Sequence, residues 1–162
     1  AVALIDSYTN LLVVHTLSKS RSLAGMRIGY GLGSAELIEG LERIKNSFNS
    51  YPLGHVQLAA GVAAIEDEDY YQEMRQRVIA SRETLTQSLQ SLGFDVLPSA
   101  ANFVFARHNS HGAEALAQAL RDKKVIVRHF KKPRIEGFLR ITVGSDTENA
   151  LLIDTLTAIF EG

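Results

Sequence analysis

Cysteine is absent from the chain. Its absence excludes a disulfide framework, thiolate zinc sites, iron–sulfur clusters and a cysteine nucleophile together, and it fits a reducing compartment. An excess of charge of either sign is also missing. There are 17 basic and 18 acidic side chains, a formal net charge of -1, so no net positive field draws in a polyanion and nucleic acid is not an expected partner. No apolar run approaches the roughly 20 residues that span a bilayer, so no membrane partner is expected. The N-terminus has no basic region and Asp6 interrupts its apolar start, which argues against a signal peptide. The first residue is Ala1 rather than Met, which reads as a processed or excised piece. What remains is ordinary for a soluble globular protein: 162 residues, 46% hydrophobic and 22% charged, enough for one domain or one and a half with a real core.

The run NLLVVHT at 10–16 is short, apolar and β-branched, as suits a strand buried on both faces. The small polar stretch LSKSRSLAGM reads as a loop, and RIGYGL at 27–32 as a second strand whose glycines permit close backbone approach. Ser34 is placed to cap a helix reaching about Asn46, with Leu37, Ile38, Leu41 and Ile44 on one face. After the break FNSYPLG, a helix starts at His55 with Leu58, Val62, Ala63 and Ile65 as its apolar face. The acidic patch 66–69 reads as a helix junction rather than a metal site, with Asp69 capping a second long helix that buries Met74, Val78, Leu85 and Leu89 and ends at Gly93. Strands are expected at 94–97, 103–106, 125–130 and 138–143, and helices at 113–124 and from the capping box Ser145–Glu148 through Phe160. His108 and His111 belong to a polar loop, so no metal site is expected.

The fold class is therefore α/β. Residues 1–53 read as a remnant of a larger sheet domain, 54–92 as long connecting helices, and 93–162 as a small α+β domain with two helices on an antiparallel sheet.

One segment carries chemistry: TLSKSRSLAGMRIGY at 16–30. Lys19 sits just after a strand among small residues, Thr16 and Ser18 precede it, and Arg27 follows. A lysine amine in such a setting loses its proton more easily near another cation and forms Schiff bases with carbonyls. Hydroxyls and a guanidinium on one loop are phosphate ligands. An aldehyde and a phosphate on one ligand describe pyridoxal 5′-phosphate, but spacing alone does not carry that reading, since a lysine in a serine-rich loop is usually just solvated.

The same segment resembles the lysine region of fold-type I aminotransferases of class I/II, and TLSKSRSLAGMRIGYGLG is most similar to the histidinol-phosphate aminotransferase branch. The similarity continues, in family order, through SYPLGHVQLAA, LPSAANFVFAR, IVRHF and GFLRITVG. The resemblance covers almost the whole chain and implies the C-terminal portion of such an enzyme. It implies that Lys19 holds the cofactor as a Schiff base and shuttles a proton at the substrate Cα, while Thr16, Ser18 and Arg27 bind the cofactor phosphate. It further implies that Arg140 receives the anionic end of the substrate, helped by Arg128, with Asn102 near the carboxylate. Without the resemblance, the favoured reading of Arg140 is a pairing with an acid on the sheet surface, and Lys123, Lys124, Lys131, Lys132 and Arg134 read as a solvated basic turn, or as a cluster that helps attract an anionic substrate.

Such enzymes transfer an amino group from a donor, here histidinol phosphate, to a 2-oxo acid such as 2-oxoglutarate. They are cytoplasmic homodimers, and an unpaired apolar strand edge in residues 1–53 also argues for association. Aromatic amino-acid transamination and threonine-phosphate decarboxylation are alternative chemistries of the same lysine and arginines. A non-catalytic truncated module is the alternative of another class. The family's catalytic domain is about twice as long as this chain, so the groups expected to pair with the pyridine nitrogen and stack on the ring lie elsewhere, and the isolated chain is expected to transaminate poorly or not at all.

Overall fold

A computed structural model describes all residues 1–162. The chain forms two compact units, Ala1–Glu73 and Met74–Gly162, and the division falls within one long helix.

In the first unit, β1 (Val13–Thr16) pairs antiparallel with β2 (Gly29–Leu32), with Val13 opposite Leu32 and Thr16 opposite Gly29. This corrects the expectation of a strand buried on both faces: the pair is a two-stranded ribbon whose residues are mostly exposed. The glycines serve close approach, since a Cβ at Gly29 would lie 3.1 Å from the His15 carbonyl oxygen. The segment between the strands is not all loop. It contains the one-turn helix α1 (Leu17–Ser20) and a 3₁₀ turn at Ala24–Met26.

Helix α2 (Ala35–Phe48) starts where Ser34 Oγ accepts from the Leu37 amide, as expected. Its apolar stripe is only partly covered: Leu37 and Ile38 are half-buried, whereas Leu41 and Ile44 are exposed. Helix α3 (His55–Glu66) reverses the expected face. Leu58, Val62 and Ile65 are exposed, and the buried residue is Gly61. The helix turns its smallest residues inward, so that a Cβ at Gly61 would meet Ile28 Cδ1 at 3.1 Å and Leu17 Cδ1 at 3.9 Å. Backbone proximity, not side-chain bulk, decides which face packs. The polypeptide then enters α4 (Glu68–Ser91), which begins one residue before Asp69; Asp69 therefore lies in the first turn, where its charge suits the helix dipole, and is not the cap.

The second unit has a conventional core. Leu85 and Leu89 of α4 are buried, while Met74 and Val78 are half-buried. Gly93 ends that helix with φ +87°. Four antiparallel strands follow in the spatial order β3, β4, β6, β5: β3 (Phe94–Leu97), β4 (Phe103–His108), β5 (Arg128–His129) and β6 (Leu139–Thr142). Side chains alternate along them, so that Val104, Ala106, Leu139 and Ile141 face the core beside Leu116 and Leu120 of α5 (Ala113–Asp122) and Leu152 and Leu156 of α6 (Asp146–Glu161).

The expected strand at 125–130 is cut to two residues, and α5 ends before Lys123. The cause is a helix stop built without glycine. Lys124 takes φ +66°, its amide donates to the Arg121 carbonyl at 2.9 Å and the Val125 amide donates to the Leu120 carbonyl at 2.9 Å, the paired bonds of a Schellman stop. Val125 then packs against the core. At α6 the expected capping box is complete, with Ser145 Oγ accepting from the Glu148 amide and the Glu148 carboxylate accepting from the Ser145 amide at 2.8 Å.

Candidate active site

Thr16, Ser18, Lys19 and Arg27 are brought together on the segment that leaves β1 and returns at β2. Thr16 caps α1, its Oγ1 accepting from the Ser18 amide at 3.1 Å and standing 2.8 Å from Ser18 Oγ. The Leu17 amide donates to the Ile28 carbonyl at 3.1 Å, and the Leu23 amide to the Leu17 carbonyl at 3.0 Å, so the segment folds back on itself. Leu17 and Ile28 are its buried pegs. Lys19 lies between them in sequence, is exposed and enters no ion pair. Arg27 adopts φ +56°, a left-handed conformation uncommon outside glycine, and its Nη1 donates to the Ala24 carbonyl at 2.9 Å. One back-folded segment thus carries two hydroxyls in mutual contact, a guanidinium held on the Ala24 carbonyl and an exposed primary amine.

The second group lies in the other unit, on the sheet face away from the helices. Phe103, Phe105 and Arg107 of β4 project there, with Arg140 of β6 opposite Phe105 and Arg128 of β5 opposite Arg140. The Arg140 Cζ is 5.5 Å from the Phe103 ring centroid and 5.8 Å from that of Phe130, while the Arg128 Cζ is 5.4 Å from Phe130. Beside Arg140 opens a cavity of about 360 Å³ lined by Leu97, Pro98, Ser99, Phe103 and Phe105. Ser99 Oγ of its lining donates to the Phe103 carbonyl at 2.6 Å, and Arg82 Nη1 donates to the Ala101 carbonyl at 3.0 Å in the loop between Ser99 and Phe103.

The contrast with Arg107 is informative. Arg107 pairs with Asp95 at 3.1 Å across the neighbouring strands, which is the fate an ordinary sheet arginine meets. Neither Arg128 nor Arg140 has a carboxylate partner. Two like charges directly opposite on a sheet repel, and aromatic faces only partly offset that. Such a pair has the chemistry to accept an anion. Asn102 stands at the end of the ladder, exposed, its carbonyl accepting from the Val143 amide at 3.0 Å. The aromatic surround of Arg140 escaped the sequence reading; strand alternation from Arg140 to its cross-strand neighbours could have found Phe105.

The model of one family, described as aminotransferase class I and II, matches residues 1–156. The chain belongs to this family. It is 60% identical over 159 residues to histidinol-phosphate aminotransferase 2 of Dechloromonas aromatica, covering 98% of this chain and 45% of that protein. It is 61% identical over 156 residues to histidinol-phosphate aminotransferase 1 of Pseudomonas aeruginosa, covering 96% and 44% respectively. A crystal structure of histidinol-phosphate aminotransferase from Sinorhizobium meliloti in complex with pyridoxal 5′-phosphate superposes with a TM-score of 0.78 at 26% identity, over 93% of this chain and 42% of that one. The chain thus spans under half the length of these aminotransferases, and its mixed α/β fold is part of the fold-type I architecture.

Aminotransferases of this class imply a pyridoxal 5′-phosphate site, and the donor set around Lys19 fits one. Two hydroxyls and a guanidinium suit a phosphate monoester, and an exposed amine without a salt-bridge partner is free to condense with an aldehyde.

Proposed function

We propose that this chain contributes the lysine site and the substrate arginines of a pyridoxal-phosphate-dependent histidinol-phosphate aminotransferase. The reaction is a ping-pong transfer of the amino group of histidinol phosphate to 2-oxoglutarate. The observation that carries the reading is the gathering of Thr16, Ser18, Lys19 and Arg27 on one back-folded segment; the relatives of about 60% identity support the choice of donor.

When bound, the cofactor supplies an aldehyde carbon that takes up the amino group and a ring that draws electron density from the substrate Cα. Thr16 and Ser18 would offer their hydroxyls, and Arg27 its guanidinium, to the cofactor phosphate. Lys19 would hold the cofactor through its Nζ and, as a free amine, would accept the proton from the substrate Cα and pass it on rather than return it there. Arg140 and Arg128 hold the anionic end of the substrate, as the unpaired cations of the sheet face, and Asn102 assists at the carboxylate end of the 2-oxo acid. The working protein is a cytoplasmic homodimer in this reading, and no helix is long and apolar enough to cross a membrane.

The test is a peptide mass map after incubation with pyridoxal 5′-phosphate and borohydride reduction, which converts a Schiff base into a stable pyridoxyl adduct. One adduct on Lys19, lost in Lys19→Ala, is expected. Labels scattered over several lysines, or retained in Lys19→Ala, overturn the cofactor reading. A protein of the relatives' length that labels at Lys19 but takes no amino group from histidinol phosphate overturns the substrate alone.

A further inference from the structure

Arg21 lies two residues beyond Lys19 and has the opposite environment. Only 14% of its side chain is exposed. Its Nη1 donates to the Ala64 carbonyl at 2.8 Å and reaches the Asp67 carbonyl at 3.3 Å, while Nη2 donates to Glu68 Oε2 at 2.7 Å. Its Cζ rests 3.9 Å from the Tyr71 ring centroid. Glu68 is itself fixed, its other oxygen accepting from Gln72 Nε2 at 2.6 Å.

These partners share one place, the corner where α3 ends and α4 begins. Ala64 is in the last turn of α3, where carbonyls lack an intrahelical donor. A guanidinium there satisfies an orphan acceptor and complements the negative end of the helix. Glu68 opens α4. Arg21 thus joins both helix ends to the segment that bears Lys19.

That segment needs such a tie. Helix α1 has four residues, far below the roughly 12–15 at which a helix persists in water by itself. Leu17, at its start, is buried. Arg21, at its end, is the C-cap, after which Ser22 turns into the left-handed region at φ +57°. Lys19 sits between an apolar peg and an ionic one. We infer that Arg21 is a positioning residue, holding the α1 turn on the α3–α4 corner so that the Lys19 amine is presented from a fixed base. This inference rests on the proposed role of Lys19. Lysine in place of Arg21 would be no equivalent, because a single ammonium lacks the planar fork that reaches both carbonyls and the carboxylate.

Two readouts test it: hydrogen exchange of the amides of residues 18–22, and the rate of pyridoxyl adduct formation at Lys19. Loss of charge-assisted bonds in Arg21→Met is expected to speed exchange about tenfold or more and to slow adduct formation by a similar factor, with the core amides of Met74–Gly162 unchanged. Arg21→Lys is expected to fall between wild type and Arg21→Met. Should Arg21→Met unfold the chain, Glu68→Gln removes one charge and keeps both carbonyl bonds; a several-fold effect in the same direction is expected. Variants that match wild type within about twofold in both readouts overturn the inference. An adduct absent from wild type overturns the cofactor reading, whereas an adduct present and indifferent to Arg21 overturns the inference alone.

Discussion

Replacing Gly93 with alanine tests how the small unit is assembled, and the cost can be worked from its parts. Gly93 has φ +87°, where an L-residue loses roughly 1–2 kcal/mol. The added Cβ would also stand 3.2 Å from His108 Nε2 and 3.7 Å from Cε1. The imidazole has little room to give. Its Nδ1 accepts from the Ser110 and His111 amides at 3.0 and 3.1 Å, so the proton resides on Nε2, which donates to the Leu92 carbonyl at 2.9 Å. Phe94 meets the ring edge-on at a centroid distance of 4.9 Å, and Phe160 lies at 4.7 Å. Crowding a ring fixed in this way adds about 1 kcal/mol or more. Gly93→Ala is therefore expected to cost about 2–4 kcal/mol, a large share of a typical domain's 5–15. Urea unfolding of the full chain followed by circular dichroism measures it, with His108→Ala made in both backgrounds. The backbone part is expected to persist without the imidazole and the crowding part to vanish, a coupling of about 1 kcal/mol. A loss below about 0.5 kcal/mol would refute the strain argument. A loss identical with and without His108 would refute the crowding argument.

Ser145→Ala removes the cap of α6 and is expected to cost about 1 kcal/mol in the same unfolding assay. Its pH dependence has a definite sign: the Ser145 amide and hydroxyl hold the Glu148 carboxyl below its usual 4.5, so this contribution is present above that value and is lost as pH falls below it. In Ser145→Ala the acid limb of the stability profile is expected to flatten. Inorganic phosphate is expected to stabilise wild type, by about 1.4 kcal/mol at ten times its dissociation constant, and to do so less in Arg140→Gln and in Arg128→Gln; equal thermal shifts in all three would refute an anion site at that pair.

Local signals proved the most legible. The Ser145–Glu148 box, the Ser34 cap and the stop at Gly93 each depend on a few consecutive residues, and each stands where the sequence puts it. The Lys19 segment was singled out on the same local footing, since its hydroxyls, amine and guanidinium are close in the chain, but its reading as a loop missed the one-turn helix at Leu17–Ser20. Features set by distant contacts were not. The inward face of α3 is chosen by the approach of Ile28 and Leu17 to Gly61, which inverts what the apolar stripe of Leu58, Val62 and Ile65 suggests. The Schellman stop uses Lys124 in place of glycine, so no residue type announces it. Arg21 looked like one more polar residue of a loop, because its acceptors lie more than forty positions away.

The resemblance joined Arg128 to Arg140 as substrate arginines, but their cross-strand register had no signal in the residues, since it depends on how residues 130–138 return the chain to β6. It breaks a local rule at a stability cost of roughly 0.2–1 kcal/mol, within a sheet that follows the same rule at Arg107 and Asp95. A single domain that neutralises one cross-strand arginine and leaves two others facing each other does not lack acidic residues. The stabilisation forgone at Arg128 and Arg140 is what an anionic ligand would restore, because an arriving carboxylate or phosphate removes the repulsion as well as forming its own bonds. An internal carboxylate would have cancelled that gain in advance. On this ground the unpaired arginines are better explained by a ligand than by chance at the surface, and the apolar cavity beside Arg140 gives the uncharged part of such a ligand a place to leave water.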